Sequence, residues 1–244
     1  MPKFGHDPRF PVTNNWPHLR DQLIQFVESQ AAWPVYFVGH SLGGYLGLLA
    51  AARRPDLACG VVLLDSPLLP TWMARAVQFG KAFGVGERFS PGQVSKRRRQ
   101  HWPSIEAAKQ HFASKPAFAR WADGVLDDYI ACGLDSSADG QQLSFTREIE
   151  TAIYNTLPHH LSRLMRTHPL RCPAAFVGGS TSEELRRVGL SATRRLVHAR
   201  LMILEGSHLF PLEIPHAAAA AVLHWLTSFE AGLTGGRTSA TPRL

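Results

Sequence analysis

Gly39-His40-Ser41-Leu42-Gly43, followed by Gly44, lies where one kind of apolar pattern gives way to another. Pro34-Val35-Tyr36-Phe37-Val38 is short, continuous and rich in β-formers, which predicts a strand buried on both faces. From Leu42 to Arg54 the spacing becomes helical. Glycines at 39 and 43 remove the Cβ atoms that a sharp reversal would bring into collision. Ser41 is thereby read as a nucleophile held strained at the top of a turn, with its Oγ exposed. The backbone N–H of Leu42, opening the helix, would point to where an oxyanion forms. Gly-x-Ser-x-Gly alone occurs by chance in roughly one chain in twelve of this size. The strand before it and the helix after it therefore carry the assignment, against the plainer reading of a glycine-rich turn with an idle serine.

Alternating elements extend on both sides of this turn. Asn15 is positioned to cap a helix with Leu19, Leu23, Phe26 and Val27 on one face. After the Ser41 helix, Cys59-Gly60-Val61-Val62-Leu63-Leu64-Asp65 reads as a second buried strand, closed by Ser66-Pro67. From Leu68 to about Arg171 only helical patches follow, around 73–83, 105–112, 117–130 and 148–164. Pro173 to Gly179 and Leu201 to Leu204 restore the strand pattern around a helix at 183–197, and a final helix runs from Pro215 to Phe229. This order predicts an α/β fold, a mostly parallel sheet flanked by helices with an inserted helical segment. The expected domains are a core of 1–67 and 171–230, a helical cap of 68–170 and a disordered tail of 231–244, which is rich in Gly, Thr, Pro and Arg.

Composition excludes several classes. With 244 residues and 45% hydrophobic content the chain can bury one sizeable core. No stretch approaches the ~18 apolar residues of a membrane span, and Met1 to Asp7 lacks a signal-peptide core, so the expected location is cytoplasmic. Cys59, Cys132 and Cys172 are odd in number and scattered, suggesting packed thiols. The net charge of +7 and the run Lys96-Arg97-Arg98-Arg99 raise nucleic acid as a partner. That run lacks interleaved aromatics and sits in a polar segment between Pro91 and Pro103, so a solvated helix face is preferred and no nucleic-acid partner is assigned. His159-His160 resembles a metal pair only superficially, because neighbours on a helix point about 100° apart. No metal or cofactor is assigned.

A base for Ser41 is sought where parallel strands end. Gly206-Ser207-His208 follows the last strand, which puts His208 and Ser41 at the same carboxyl edge of a parallel sheet. Of twelve histidines, His208 alone has that placement. Its plainer reading is a loop histidine bonded to backbone.

Gly39-His40-Ser41-Leu42-Gly43-Gly44, together with Gly206-Ser207-His208-Leu209-Phe210-Pro211-Leu212-Glu213-Ile214-Pro215, resembles the α/β-hydrolase superfamily, over roughly residues 4–66 and 171–229. The resemblance implies a Ser-His-acid hydrolase without a cofactor, acting on a small-molecule substrate, with the inserted helices similar to that superfamily's cap. Two departures stand out. The acid that usually follows a Gly-x-x-Asp strand end is absent from Gly178-Gly179-Ser180-Thr181-Ser182. An alternative position in the superfamily, the end of the preceding core strand, makes Asp65 the expected acid, with Glu183 second and a turn-capping aspartate as the plainer reading of Asp65. Several strands and a His-Gly loop that normally precede the segment resembled by Gly5-His6-Asp7-Pro8 are also missing, which would leave a sheet edge open and the second oxyanion donor absent. Met1 is accordingly expected to be internal to a longer reading frame, or the chain to be a truncated, weakened form.

A serine at position 41 argues against epoxide and haloalkane chemistry, which in this superfamily uses a carboxylate nucleophile. Ester or related acyl cleavage through an acyl-enzyme is the expected activity, with a catalytically weakened or inactive binding protein of the same fold as the alternative. The many aromatic residues between Trp72 and Tyr154 suit an apolar pocket, yet helix packing accounts for most of them and none is assigned to substrate.

Overall fold

Four parallel strands, β1 (Val35–His40), β2 (Ala58–Leu64), β6 (Ala174–Gly179) and β7 (Leu201–Leu204), lie side by side in that order in the main sheet of the computed structural model, which describes residues 3–32, 34–83 and 92–235. A helix, α1 (Pro17–Gln30), leads into β1 (Val35–His40), and α2 (Leu42–Arg53) crosses over to β2 (Ala58–Leu64). Seven residues of β2 read Ala-Cys-Gly-Val-Val-Leu-Leu and six of them are buried, as expected of a strand covered on both faces. β6 (Ala174–Gly179) lies directly against β2, with Leu63 opposite Phe176 and Leu64 opposite Val177. Helices α9 (Glu183–Val188) and α10 (Ser191–Val197) return the chain to β7 (Leu201–Leu204), parallel to β6.

β1 differs from its expected burial on both faces. It pairs with β2 on one side, stands at the edge of the sheet among the described residues, and leaves Val38 43% exposed. A continuous apolar run reports apolar neighbours and cannot by itself tell an edge from a centre. Its inward side chain, Phe37, joins Leu48, Ala50, Val61, Leu63, Phe176 and Val197 in the principal core. α2 reaches that core closely because Gly47 carries no Cβ against Phe37.

Contacts divide the chain into two compact units, one of Leu23–Thr71, Leu161–Pro211 and His216–Leu244, the other of Met1–Gln22, Trp72–His160 and Leu212–Pro215. The first holds the parallel sheet, α8 (Leu161–Thr167) and most of the last helix, α12 (Pro215–Gly235). α12 runs past the expected end at Phe229, and the expected disorder of 231–244 falls, from 236 onward, outside the described residues.

The second unit contains α3 (Thr71–Ala82) from Trp72 on, then α4 (Gly92–Lys96), α5 (Ile105–Ala113), α6 (Val125–Gly133) and α7 (Arg147–Asn155). It also contains an antiparallel sheet that the helical reading of 68–170 does not anticipate. β3 (His101–Trp102), β5 (Gly140–Leu143) and β4 (Leu134–Ser137) pair in that order, and two residues close the β4–β5 hairpin. These strands are two to four residues long and largely polar, too short to show a period. Trp102, Ala108, Phe112, Ile130 and Leu143 make the unit's core, and Phe112 meets Trp102 and Tyr129 with ring centroids 5.2 and 5.3 Å apart. Asn15 does not cap α1. It has φ 65°, Trp16 stands between it and the helix, and its side chain accepts from the His159 N–H at 3.2 Å.

The basic run is not a uniform solvated helix face. Lys96 ends α4, Arg98 pairs with Glu150 at 3.0 Å, and Arg99 lies 5.8 Å over the Trp102 ring. No helix of the described residues is long and apolar enough to cross a membrane.

Phe176 is fully buried at the sheet centre, so Phe176→Ala is expected to cost about 3–5 kcal/mol of folding stability. Val38→Ala on the exposed edge should cost under about 1 kcal/mol. Urea denaturation midpoints of the two variants check the contrast.

Candidate active site

The carboxyl ends of β1, β2 and β7 deliver three side chains to one point. Ser41 follows β1 with φ 53° and ψ −118°, a conformation that a non-glycine residue adopts only under strain. Three backbone bonds hold it there. Its N–H donates to Leu64 O at 2.8 Å, its carbonyl accepts from Ser66 Oγ at 2.7 Å, and the same carbonyl accepts from the Gly44 N–H at 3.1 Å. Leu42 then opens α2, so its N–H is one of the helix-start donors with no partner one turn earlier.

The glycines around Ser41 have separate roles. A Cβ on Gly39 would collide with the backbone of Gly43 and Gly44, and one on Gly44 with the Ser66 side chain. Gly43 has open space where its Cβ would be, so the sequence reading that a clash requires glycine at 43 is corrected: the tight positions are 39 and 44. Only coordinates distinguish them, because the crowding comes from Ser66, a residue on another strand end.

Asp65 follows β2 with φ 46° and is 1% exposed. Its Oδ1 accepts from the Gly179 N–H at 2.9 Å, while Oδ2 accepts from Ser182 Oγ at 2.5 Å and lies 2.7 Å from His208 Nδ1. His208 Nε2 lies 3.0 Å from Ser41 Oγ. The structure therefore brings Ser41, His208 and Asp65 into one hydrogen-bonded line. It does not bring Glu183 there: that carboxylate pairs with Arg186 at 3.4 Å and Arg187 at 2.9 Å. The neighbouring Glu184 approaches instead, with Oε2 3.7 Å from His208 Nδ1 and its side chain half exposed. At the start of α9 a one-residue step turns a side chain about 100° around the axis, which decides which glutamate faces the imidazole.

Further residues hold the line in place, and sequence reading does not assign them. Ser182 caps α9, its Oγ accepting from the Leu185 N–H at 3.1 Å while donating to Asp65. His40 Nε2 donates to the His208 carbonyl oxygen at 2.8 Å, with the two rings 4.7 Å apart. Burial, and secondarily the charge His208 would carry, push the His40 imidazole below the usual histidine range, which keeps it neutral. Tyr45 donates to Pro67 O at 2.7 Å, and burial raises its phenol. The readable signal among these was Ser182, a cap residue followed by two glutamates in a helical first turn.

Asp65, Glu184 and His208 are also the described groups whose metal-ligand atoms converge, within 4.8 Å. The 2.7 Å contact between Asp65 and His208 leaves no room for a cation between them without breaking it. His159 and His160 have ring centroids 6.2 Å apart and belong to no metal-like cluster among the described residues; burial, then Lys81, lowers His159 to about 4.

Comparison with known proteins identifies the family. The model of the alpha/beta hydrolase family matches residues 2–222. The chain belongs to that family. A segment of 53 residues is 49% identical to the chloroplastic pheophytinase of Arabidopsis thaliana, covering 22% of this chain and 10% of that protein. The chain thus spans about a tenth of that curated relative. The crystal structure of E-2-(acetamidomethylene)succinate hydrolase superposes with TM-score 0.67 at 20% identity, over 89% of this chain and 76% of that one. The M. tuberculosis esterase Rv0045c superposes with TM-score 0.63 at 21% identity, over 86% and 68%. Family membership supports hydrolase activity in general, and the two solved structures, at 20% and 21% identity, support the fold.

Gly39→Ala is expected to destabilise the fold by about 1–3 kcal/mol or more through backbone collision. Gly43→Ala should be neutral or stabilise by up to about 1 kcal/mol, since alanine is the better helix former. Thermal unfolding of both variants measures the difference.

Proposed function

We propose that the chain is a serine hydrolase that cleaves a carboxylic ester, or a related acyl bond, of a small apolar substrate through an acyl-enzyme. The observation that carries this reading is the line Asp65 Oδ2, His208 Nδ1, His208 Nε2, Ser41 Oγ, with separations of 2.7 and 3.0 Å across the imidazole. A serine hydroxyl is too weak an acid to attack at neutral pH without such a base.

In this reading His208 Nε2 takes the Ser41 proton as Oγ bonds to the acyl carbon. The carbonyl π electrons move onto oxygen, and the Leu42 N–H stabilises that charge. A backbone donor of this kind contributes about 2.7–4 kcal/mol to the transition state. Collapse expels the alcohol, which leaves with the proton from His208. Water then adds to the acyl carbon, giving its proton to His208, and His208 returns that proton to Ser41 Oγ as the Ser41–acyl bond breaks and the carboxylic acid departs. Asp65 fixes the proton on Nδ1 and offsets the imidazolium charge. His40 acts as a positioning residue, pinning the backbone of the His208 loop.

A fluorophosphonate probe should add one phosphonyl group to Ser41 and none to Ser41→Ala, read by intact and peptide mass. Turnover of nitrophenyl esters graded by acyl length should fall by about 10⁴-fold or more in Ser41→Ala. Absence of both labelling and turnover in folded protein would instead favour the reading in which the chain binds ligands on a relict site.

For His40, loss of one neutral hydrogen bond should lower kcat roughly two- to tenfold in His40→Ala. His40→Gln, which retains a donor, is expected to recover part of that loss.

A further inference from the structure

One cavity belongs to the same unit as the sheet but not to the Ser41 site. It holds about 300 Å³, and none of Ser41, Asp65 and His208 lines it. Cys172, Pro173 and Ala174 reach it from the start of β6, and Arg200 from the residue before β7. Those positions are the amino ends of the strands whose carboxyl ends face the triad, so the cavity opens on the opposite rim of the sheet.

Its lining is divided by chemistry. Leu68, Met165, Ala174 and Ala192 are buried members of the principal core, and Leu170 and Leu196 pack against them, giving an apolar floor. Arg166, Arg195, His198 and Arg200 are exposed and line the same cavity. No Asp or Glu is among the lining residues. Elsewhere in this unit Arg54 holds Glu28 and Asp56, and Arg186 and Arg187 hold Glu183, while Arg53, Arg163, Arg171 and Arg194 form no ion pair among the described residues. Among the described residues, the side chains of Arg166, Arg195 and Arg200 have neither ion pair nor hydrogen bond. Three unpaired guanidiniums around one concavity repel each other and focus a positive potential into it.

His198 adds a separate observation. Where α10 ends it takes φ 53° and ψ −118°, the same pair of angles as Ser41. A positive φ is uncommon for a residue other than glycine, so the backbone at the end of α10 is held under strain.

We infer that this rim carries a binding site for a small amphiphilic anion, with a carboxylate or phosphate head among Arg166, Arg195 and Arg200 and an apolar body against Leu68, Met165 and Leu196. The guanidinium fork matches both heads through paired N–H donors. The volume stands at the lower end of ligand cavities, about 300–1,000 Å³, which limits the body to a short chain or a single ring. No Phe, Tyr or Trp lines the cavity.

Titration calorimetry at low ionic strength tests the site with octyl phosphate, octanoate, neutral octyl glucoside and inorganic phosphate. At least one octyl anion should bind, which of the two telling phosphate from carboxylate preference, while octyl glucoside and inorganic phosphate bind roughly tenfold or more weakly. The double variant Arg195→Gln/Arg200→Gln should lose roughly tenfold or more in affinity for that anion, whereas Arg186→Gln/Arg187→Gln should bind like the parent. Leu196→Trp, which fills the floor, should weaken the octyl anion without affecting labelling of Ser41. As a second readout, the bound anion should slow alkylation of Cys172, read by peptide mass. Equal binding of octyl glucoside, no binding of either octyl anion, or affinity unchanged in folded Arg195→Gln/Arg200→Gln protein overturns the proposal.

Discussion

A buried carboxylate organises this molecule. Asp65 is almost fully removed from water, and an ionised group in that position is tolerated only when its oxygens are satisfied. The partners come from three other segments: the Gly179 N–H at the end of β6, the Ser182 hydroxyl capping α9, and the His208 imidazole after β7. Each depends on the sheet register, since Leu64 must stand beside Val177, and Gly179 beside Leu204, for the strand ends to converge. The same interaction that fixes the sheet's carboxyl rim therefore fixes the imidazole, and the imidazole meets the serine. Folding and the proposed chemistry share one hydrogen-bond network.

Ser41 is held from the other side. Its strained backbone is tied to β2 through Leu64 O and Ser66 Oγ, so the strain is supported by neighbouring strands and not by the turn alone. Ser66 and Gly44 are coupled in this, because the Ser66 hydroxyl that donates to the Ser41 carbonyl occupies the space a side chain at 44 would need. Site residues on the ends of rigid strands gain positional precision that loops lack.

Much of this was legible before any coordinates. A strand, a Gly-flanked serine and a helix in succession identify the Ser41 turn, and a histidine after the last strand of a parallel sheet must come to the same rim. Asp65 after β2 is the acid that the superfamily resemblance offers, with Glu183 second, because the position after β6 where that acid usually stands holds Gly179, Ser180 and Thr181. What failed depended on contacts distant in sequence or on single-residue phase. Gly43 and Gly44 look equivalent in the chain, yet only the latter faces Ser66. Glu183 and Glu184 differ by one helical step, and it is 184 that faces the imidazole. Asn15 has the chemistry of a cap, but a bond to the His159 N–H and a positive φ place the helix start two residues later. The short polar strands at 101–102, 134–137 and 140–143 pair through their backbones and leave no hydrophobic period to read.

The account requires that His208 carry its proton on Nδ1, directed at Asp65, and leave Nε2 bare toward Ser41. Nitrogen-15 NMR of ring-labelled protein at neutral pH measures this tautomer directly. The expected spectrum has a protonated Nδ1 and an unprotonated Nε2 for His208, with the preference lost in Asp65→Asn. An Nε2–H tautomer, or a ring exchanging freely between the two forms in the unsubstituted protein, would contradict the hydrogen-bonded line on which the proposed catalysis rests.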